Sequence, residues 1–233
     1  MKGIVFVLLF FPLLLWSQVN FEKAEQLLES GKTEQARTLF ESVVVENSSH
    51  LKAIEYLGDI AGQQKLWDKA LLYYKKLKQL QPREANYYYK YGGALGMKAK
   101  EVSKFKALGM IEEIKSSFEK AIVLDPKHKE SRWALVQLYL ELPGIIGGSE
   151  AKAVQYSDEL MRLSPLDGYL SRGYIDDYFG RNKKAELNYS KAFELTHSKL
   201  AFQKLYHLYW YKMKNFAKAQ QLKERFENSL KGY

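Results

Sequence analysis

The chain has 233 residues, no cysteine, and 36 Lys and Arg against 27 Asp and Glu, for a net charge of +9. Without cysteine there is no thiolate nucleophile, no thiolate zinc site and no disulfide framework. The four histidines, His50, His128, His197 and His207, never fall three or four residues apart, so no helical metal pair exists.

Residues 1–17 differ from the rest. Lys2 precedes an almost wholly apolar run, Ile4 to Trp16, that ends at Ser17. A positive start, a short apolar stretch and a small residue at its end describe a secretory signal. The run is shorter than the roughly 20 residues a membrane span requires, and Pro12 interrupts it. The reading is export, to a bacterial periplasm or the extracellular space, with cleavage after Ser17 or after Gln18. The alternative is an uncleaved N-terminal anchor. Removing 1–17 takes away only Lys2 among the charged residues and leaves +8, with no stable membrane span in the remainder.

Residues 18–50 read as a helix pair. Phe21, Ala24, Leu27 and Leu28 give one apolar face, and Ala36, Phe40, Val43 and Val44 give a second, with a turn at Ser30–Lys32. Lys23 stands where the next pair has Leu57, the more polar outer face expected of an end cap. Residues 51–84 state the unit most clearly. Ile54, Leu57, Gly58 and Ala61 line a first helix; Ala70, Tyr74, Leu77 and Leu80 line a second; Pro82 stops it. Gly58 costs helix propensity, roughly 1 kcal/mol against Ala, which fits the close approach of another backbone. Ala70 is small where the two helices cross.

The unit recurs. Ala36 and Ala70, Phe40 and Tyr74, Gly58 and Gly92, and Ala185 and Ala219 are each 34 residues apart. A 34-residue period with a small residue in the first helix, a small–aromatic pair in the second and a closing proline resembles the tetratricopeptide repeat. The resemblance covers nearly everything after residue 17, in copies at about 18–50, 51–84, 85–128, 129–165, 166–199 and 200–233. It implies an all-α, right-handed α-solenoid of about six antiparallel helix pairs, whose inner groove binds a peptide or protein.

Two copies depart from the period. Between 96 and 113 about ten residues are added, and Val102, Phe105, Leu108, Ile111 and Ile114 keep helical spacing, so the reading is a second helix lengthened at its N-terminal end. Between 142 and 149, Leu-Pro-Gly-Ile-Ile-Gly-Gly-Ser adds five. There Pro143 stops the first helix, Ser149 is a natural N-cap for the second, and Ile145 and Ile146 are read as plugging the seam between helices. A lengthened helix followed by such an insert resembles a subset of bacterial exported tetratricopeptide proteins.

Nothing in the chain composes a catalytic constellation. The neighbouring carboxylates Glu112-Glu113 and Asp176-Asp177 point about 100° apart on a helix. Gly147-Gly148-Ser149 lacks the lysine of a phosphate loop. No enzyme activity and no cofactor are expected. The lysines are interleaved with glutamates along helices, and no nucleic-acid-binding motif accompanies them. In the family's register the first helix of each pair faces the groove. That places Tyr89, Trp133, Tyr174, Tyr178 and Tyr211 there, with Lys204 and Lys212, as candidate partner-binding residues. Tyr88, Leu135, Tyr169 and Trp210 then face the core. The Lys/Asn/Arg set by which some family members clamp a carboxylate is not visible. The sequence therefore reads as a non-enzymatic interaction scaffold of the cell envelope. A lysine-rich surface that grips an anionic envelope polymer or membrane headgroups is the alternative.

Overall fold

The computed structural model describes residues 18–231. The signal segment expected at 1–17 lies outside them. All regular structure among the described residues is helical, and it divides into two compact units, one up to Leu124 and one from Asp125. No described helix is long and apolar enough to cross a membrane.

The first unit contains α1 (18–29), α2 (Thr33–Glu46), α3 (Leu51–Gln63), α4 (Trp67–Leu80), α5 (Ala85–Glu101), α6 (Lys104–Leu108) and α7 (Ile111–Leu124). Neighbours in sequence pack as neighbours in space, α2 on α3, α3 on α4, α4 on α5 and α5 on α7. The second unit contains α8 (Lys129–Glu141), a 3₁₀ turn (Gly144–Ile146), α9 (Glu150–Leu163), α10 (Pro165–Tyr178), α11 (Asn182–Thr196), α12 (Lys199–His207), a π-turn (Leu208–Lys212) and α13 (Phe216–Lys231). The same sequential pairing holds from α8 through α13.

The residues that carry the 34-residue period meet inside each pair. Ala36, Ala70, Ala121, Ala153, Ala185 and Ala219 are fully buried. Gly58, Gly92 and Gly173 in the first helices receive an aromatic ring rather than another backbone, which corrects the expectation for Gly58. A Cβ on Gly58 would lie 2.6 Å from the Tyr74 ring, and one on Gly92 would lie 3.0 Å from the Phe118 ring; Tyr189 covers Gly173 in the same way. A flat ring laid on a bare helix backbone lets two helices pack more closely than any side chain would, and the propensity cost of glycine is offset by that burial.

Helix starts carry their own caps. His50 and His128 accept from Ala53 N–H (3.2 Å) and Ser131 N–H (3.1 Å) through Nδ1, and Ser149, Ser164 and Ser198 cap α9, α10 and α12. Such caps are worth about 1 kcal/mol each. Pro82 sits in the turn that ends α4, as expected, and Pro126 sits likewise after α7. Pro165 instead opens α10 at its first turn, where its missing N–H costs nothing.

Both inserts differ from their readings. The ten added residues do not lengthen the second helix: α7 begins at Ile111 and has the ordinary 14 residues. It is the first helix, α5, that is long, at 17 residues, and the chain then turns extended at Val102 (ψ 170°) and Ser103 before the five-residue α6. In the 142–149 insert, Ile145 is 96% exposed and plugs nothing, whereas Ile146 is half-buried. The turn is closed by Gly148 N–H donating to Pro143 O (3.0 Å) and Ser149 N–H to Tyr139 O (2.9 Å), with Gly147 at φ +103°, where a glycine is at ease.

A third difference lies in the last pair. After α12 the backbone bonds lengthen to the π pattern, Met213 N–H donating to Leu208 O (2.9 Å). The extra residue in the turn rotates the side chains within and beyond it. Tyr209 becomes buried, while Trp210, expected in the core, is 37% exposed and lies between the rings of Tyr206 (5.7 Å) and Phe216 (4.8 Å).

Candidate partner-binding surface

In the first unit the face of α3 and α5 is ionic. Lys90 on α5 reaches back to α3, where its ammonium lies 2.8 Å from Glu55 Oε1 and 2.7 Å from Asp59 Oδ2. Lys52 holds the other Glu55 oxygen at 3.0 Å, and the Tyr74 hydroxyl donates to Asp59 (2.7 Å). Burial pushes the Glu55 carboxyl up, but the hydrogen bonds from Lys90 and Lys52 outweigh it and hold the group below its ordinary value of 4.5. Burial raises the Tyr74 phenol, and the Asp59 charge adds to that. The signal for this network was the repeat itself: Lys90 follows Asp59 by 31 residues, close to one period. Tyr89, the candidate in this unit, is half-buried with its ring 6.0 Å from that of Phe118 on α7.

The second unit holds the other six candidates, and three of them meet. Trp133 on α8 lies edge-on to Tyr174 on α10 (6.2 Å), and the ammonium of Lys204 on α12 stands 5.5 Å from the Tyr174 ring centre. Three successive first helices thus supply one contiguous aromatic–cation cluster, a geometry in which ring and ammonium attract. Tyr178 is one turn beyond Tyr174 on the same face of α10 and is 50% exposed, its ring edge-on to Phe179 (5.2 Å). Tyr211, 57% exposed, and Lys212, also exposed, belong to the π-turn, and the Tyr211 ring contacts His207 (4.9 Å).

Trp133 is half-buried and packs against two of the unit's core clusters. Its indole N–H points to Asp167 Oδ1 (3.5 Å), and Lys129 holds Asp167 Oδ2 at 2.9 Å. Burial raises the Asp167 carboxyl, and the hydrogen bonds from Ser164, Lys129 and Trp133 overcome that and leave it lowered. Sequence reading missed Asp167 as the residue that aims the indole, although it follows Trp133 by 34 residues, one full period. Burial, then the Glu141 carboxylate, raises the Tyr174 phenol, so this hydroxyl stays a donor at neutral pH.

Two clefts, both in the second unit, have volumes of about 150 and 200 Å³, below the roughly 300 Å³ at which small-molecule sites begin. The first is lined by Ser190, Glu194, Lys218 and Arg225 among others, the second by Arg172, Asp176 and Arg181 among others. Among the described residues no group of three His, Asp or Glu is placed to hold a metal ion.

Residues 63–158 match the model of the plant-specific mitochondrial import receptor subunit TOM20. No curated protein matches the sequence. Several solved structures share the fold. A thermophilic TPR protein of Thermus thermophilus is 20% identical, with a TM-score of 0.64 over 92% of this chain and 98% of its own. A tetratricopeptide repeat protein from Parabacteroides merdae is 14% identical, with a TM-score of 0.63 over 91% and 79%. YrrB, a TPR protein with an unusual peptide-binding site, is 15% identical, with a TM-score of 0.52 over 78% and 87%. These likenesses establish the tetratricopeptide-repeat fold.

Proposed function

We propose that this tetratricopeptide-repeat chain is a non-enzymatic scaffold that holds a peptide or protein partner on the first-helix face of its second unit. The observation that carries the reading is the joining of Trp133, Tyr174 and Lys204 from three helices, with Tyr178 half open to solvent beside them. Aromatic side chains held by their neighbours lose little entropy on binding and dominate interface energetics. The peptide-binding site of the structurally similar YrrB supports the class of ligand. We place the scaffold in the cell envelope, with residues 1–17 as the removed signal; the mass of the exported protein should then begin at Gln18 or Val19, and a full-length mass in the soluble envelope fraction would refute it.

The test of the binding reading is site-dependent capture. The parent chain and Tyr178→Ala, immobilised, are exposed to envelope extract and washed in low and high salt. The protein retained by the parent is expected to survive about 0.5 M salt, because aromatic contacts are screened far less than surface charges, and to be retained at least tenfold less by Tyr178→Ala. Equal retention by both chains removes the surface from consideration. Loss of all retention in salt favours the lysine-rich reading instead.

A further inference from the structure

The 96–113 insert of the first unit is not explained by partner binding on the second. Its short helix α6 buries none of its residues, and Phe105, its second residue, is 86% exposed. Leu108, one turn on, is half exposed. Across the insert charge is mixed, Lys98, Lys100, Lys104 and Lys106 against Glu101, Glu112 and Glu113, but the two residues that flank Phe105 directly are lysines, Lys104 and Lys106, and both are exposed. The base is fixed, since Lys98 pairs with Asp68 of α4 and α6 packs on α5. α6 is closed by Ala107 N–H on Ser103 O (2.9 Å) and Met110 N–H on Ala107 O (3.0 Å). A helix of this length does not persist on its own propensity, so the fold maintains a turn whose apolar side chains face water.

We propose that α6 is a membrane-surface wedge, with Phe105 and Leu108 entering the headgroup boundary of an anionic bilayer and Lys104 and Lys106 lying on its phosphates. An apolar ring flanked by lysines is the pattern of interfacial segments, and juxtaposed lysines gain attraction from anionic lipid. Charge type selects lipid over a protein partner. Protein interfaces favour Arg and deplete Lys, and the chain has no arginine between Arg83 and Arg132. The lysine stems can also lie along the apolar boundary while their ammonium groups stay in water. This contact is independent of the second unit's surface and gives the scaffold a second, weak and salt-sensitive attachment.

Because the chain lacks cysteine, a single introduced one reports locally whatever the N-terminal segment does. The full chain carrying Ala107→Cys with an environment-sensitive nitrobenzoxadiazole label is mixed with vesicles of phosphatidylcholine, and with vesicles in which about a third is phosphatidylglycerol. The label is expected to shift to the blue and brighten at least twofold with the anionic vesicles only, to lose most of that response in about 0.5 M salt, and to lose it in the Phe105→Asp background. A label on Ser48→Cys should not respond, and melting of Phe105→Asp should match the parent, since the ring buries nothing. No response at Ala107→Cys, an equal response to phosphatidylcholine alone, or a response that survives Phe105→Asp overturns the proposal. So does an equal response to soluble poly-aspartate, which would make the occupant an acidic chain rather than a bilayer.

Discussion

Replacing Lys90 with methionine is expected to destabilise the first unit by about 3 kcal/mol at neutral pH. The stem of the two side chains is similar, so packing is nearly kept, while Glu55 and Asp59 lose the ammonium that lies between them. Breaking a buried pair by removing one partner costs about 3–5 kcal/mol, because an uncompensated charge remains. The low end applies, since the Asp59 side chain is 34% exposed whereas that of Glu55 is 10% exposed. The pH dependence identifies the cause. In the parent the Glu55 carboxyl is held below 4.5, so its contribution is present above that value and is lost as pH falls through the lower, folded one. In Lys90→Met, burial acts on Glu55 with only Lys52 against it, and its pKa moves up. Its charged form then burdens the fold at neutral pH and is neutralised in acid. The deficit of the variant should therefore shrink as pH falls below about 4.5, and Glu55→Gln added to Lys90→Met should restore part of the stability at neutral pH. Urea melts at about pH 7 and pH 4 check both points. A deficit unchanged between the two would mean that Lys90 acts through its stem rather than its charge.

The sequence was most legible where packing dictates residue type. Small residues at helix crossings leave few alternatives, so Ala36 and Ala70, Gly58 and Gly92, and Ala185 and Ala219 could be read as a period, and the period as helix pairs, while the ring that covers Gly58 was not read from it. The same period also joins residues that were not read together, such as Trp133 with Asp167. What could not be read is where a helical pattern breaks. Val102, Phe105, Leu108 and Ile111 keep helical spacing although the backbone is extended at Val102 and Phe105 faces water, because periodicity reports which side chains share a face and not whether anything covers it. The π-turn escaped for a related reason. One added residue in a turn has no compositional mark, yet it leaves Trp210 37% exposed and buries Tyr209. The candidate surface was legible in part: Trp133, Tyr174 and Lys204 share a face because first helices repeat, while the half-burial of Trp133 comes from the two core clusters it packs against.

Trp133 and Leu135, two residues apart on α8, are expected to fail in different ways when cut to alanine. Leu135 is fully buried. Leu135→Ala leaves a cavity in a close-packed interior and should cost about 2–5 kcal/mol. Trp133 is half-buried, so Trp133→Ala loses only part of its apolar transfer energy, together with one long hydrogen bond to Asp167, and should cost about 1–2 kcal/mol. For partner retention the order reverses. Removing the indole takes away one wall of the cluster and frees Tyr174 from its edge contact, and truncation of an aromatic anchor of this kind typically costs about 2 kcal/mol or more, roughly thirtyfold in affinity. Leu135→Ala, measured at a temperature where it remains folded, should retain the partner within about threefold of the parent. Tyr178→Ala supplies the cleaner contrast, since its half-exposed ring leaves stability within about 0.5–1 kcal/mol of the parent while lowering retention. Melts and retention of the three variants decide the matter together. If Trp133→Ala melts as early as Leu135→Ala and Tyr178→Ala retains the partner like the parent, the indole is core and the first-helix face of this unit is not where the partner sits.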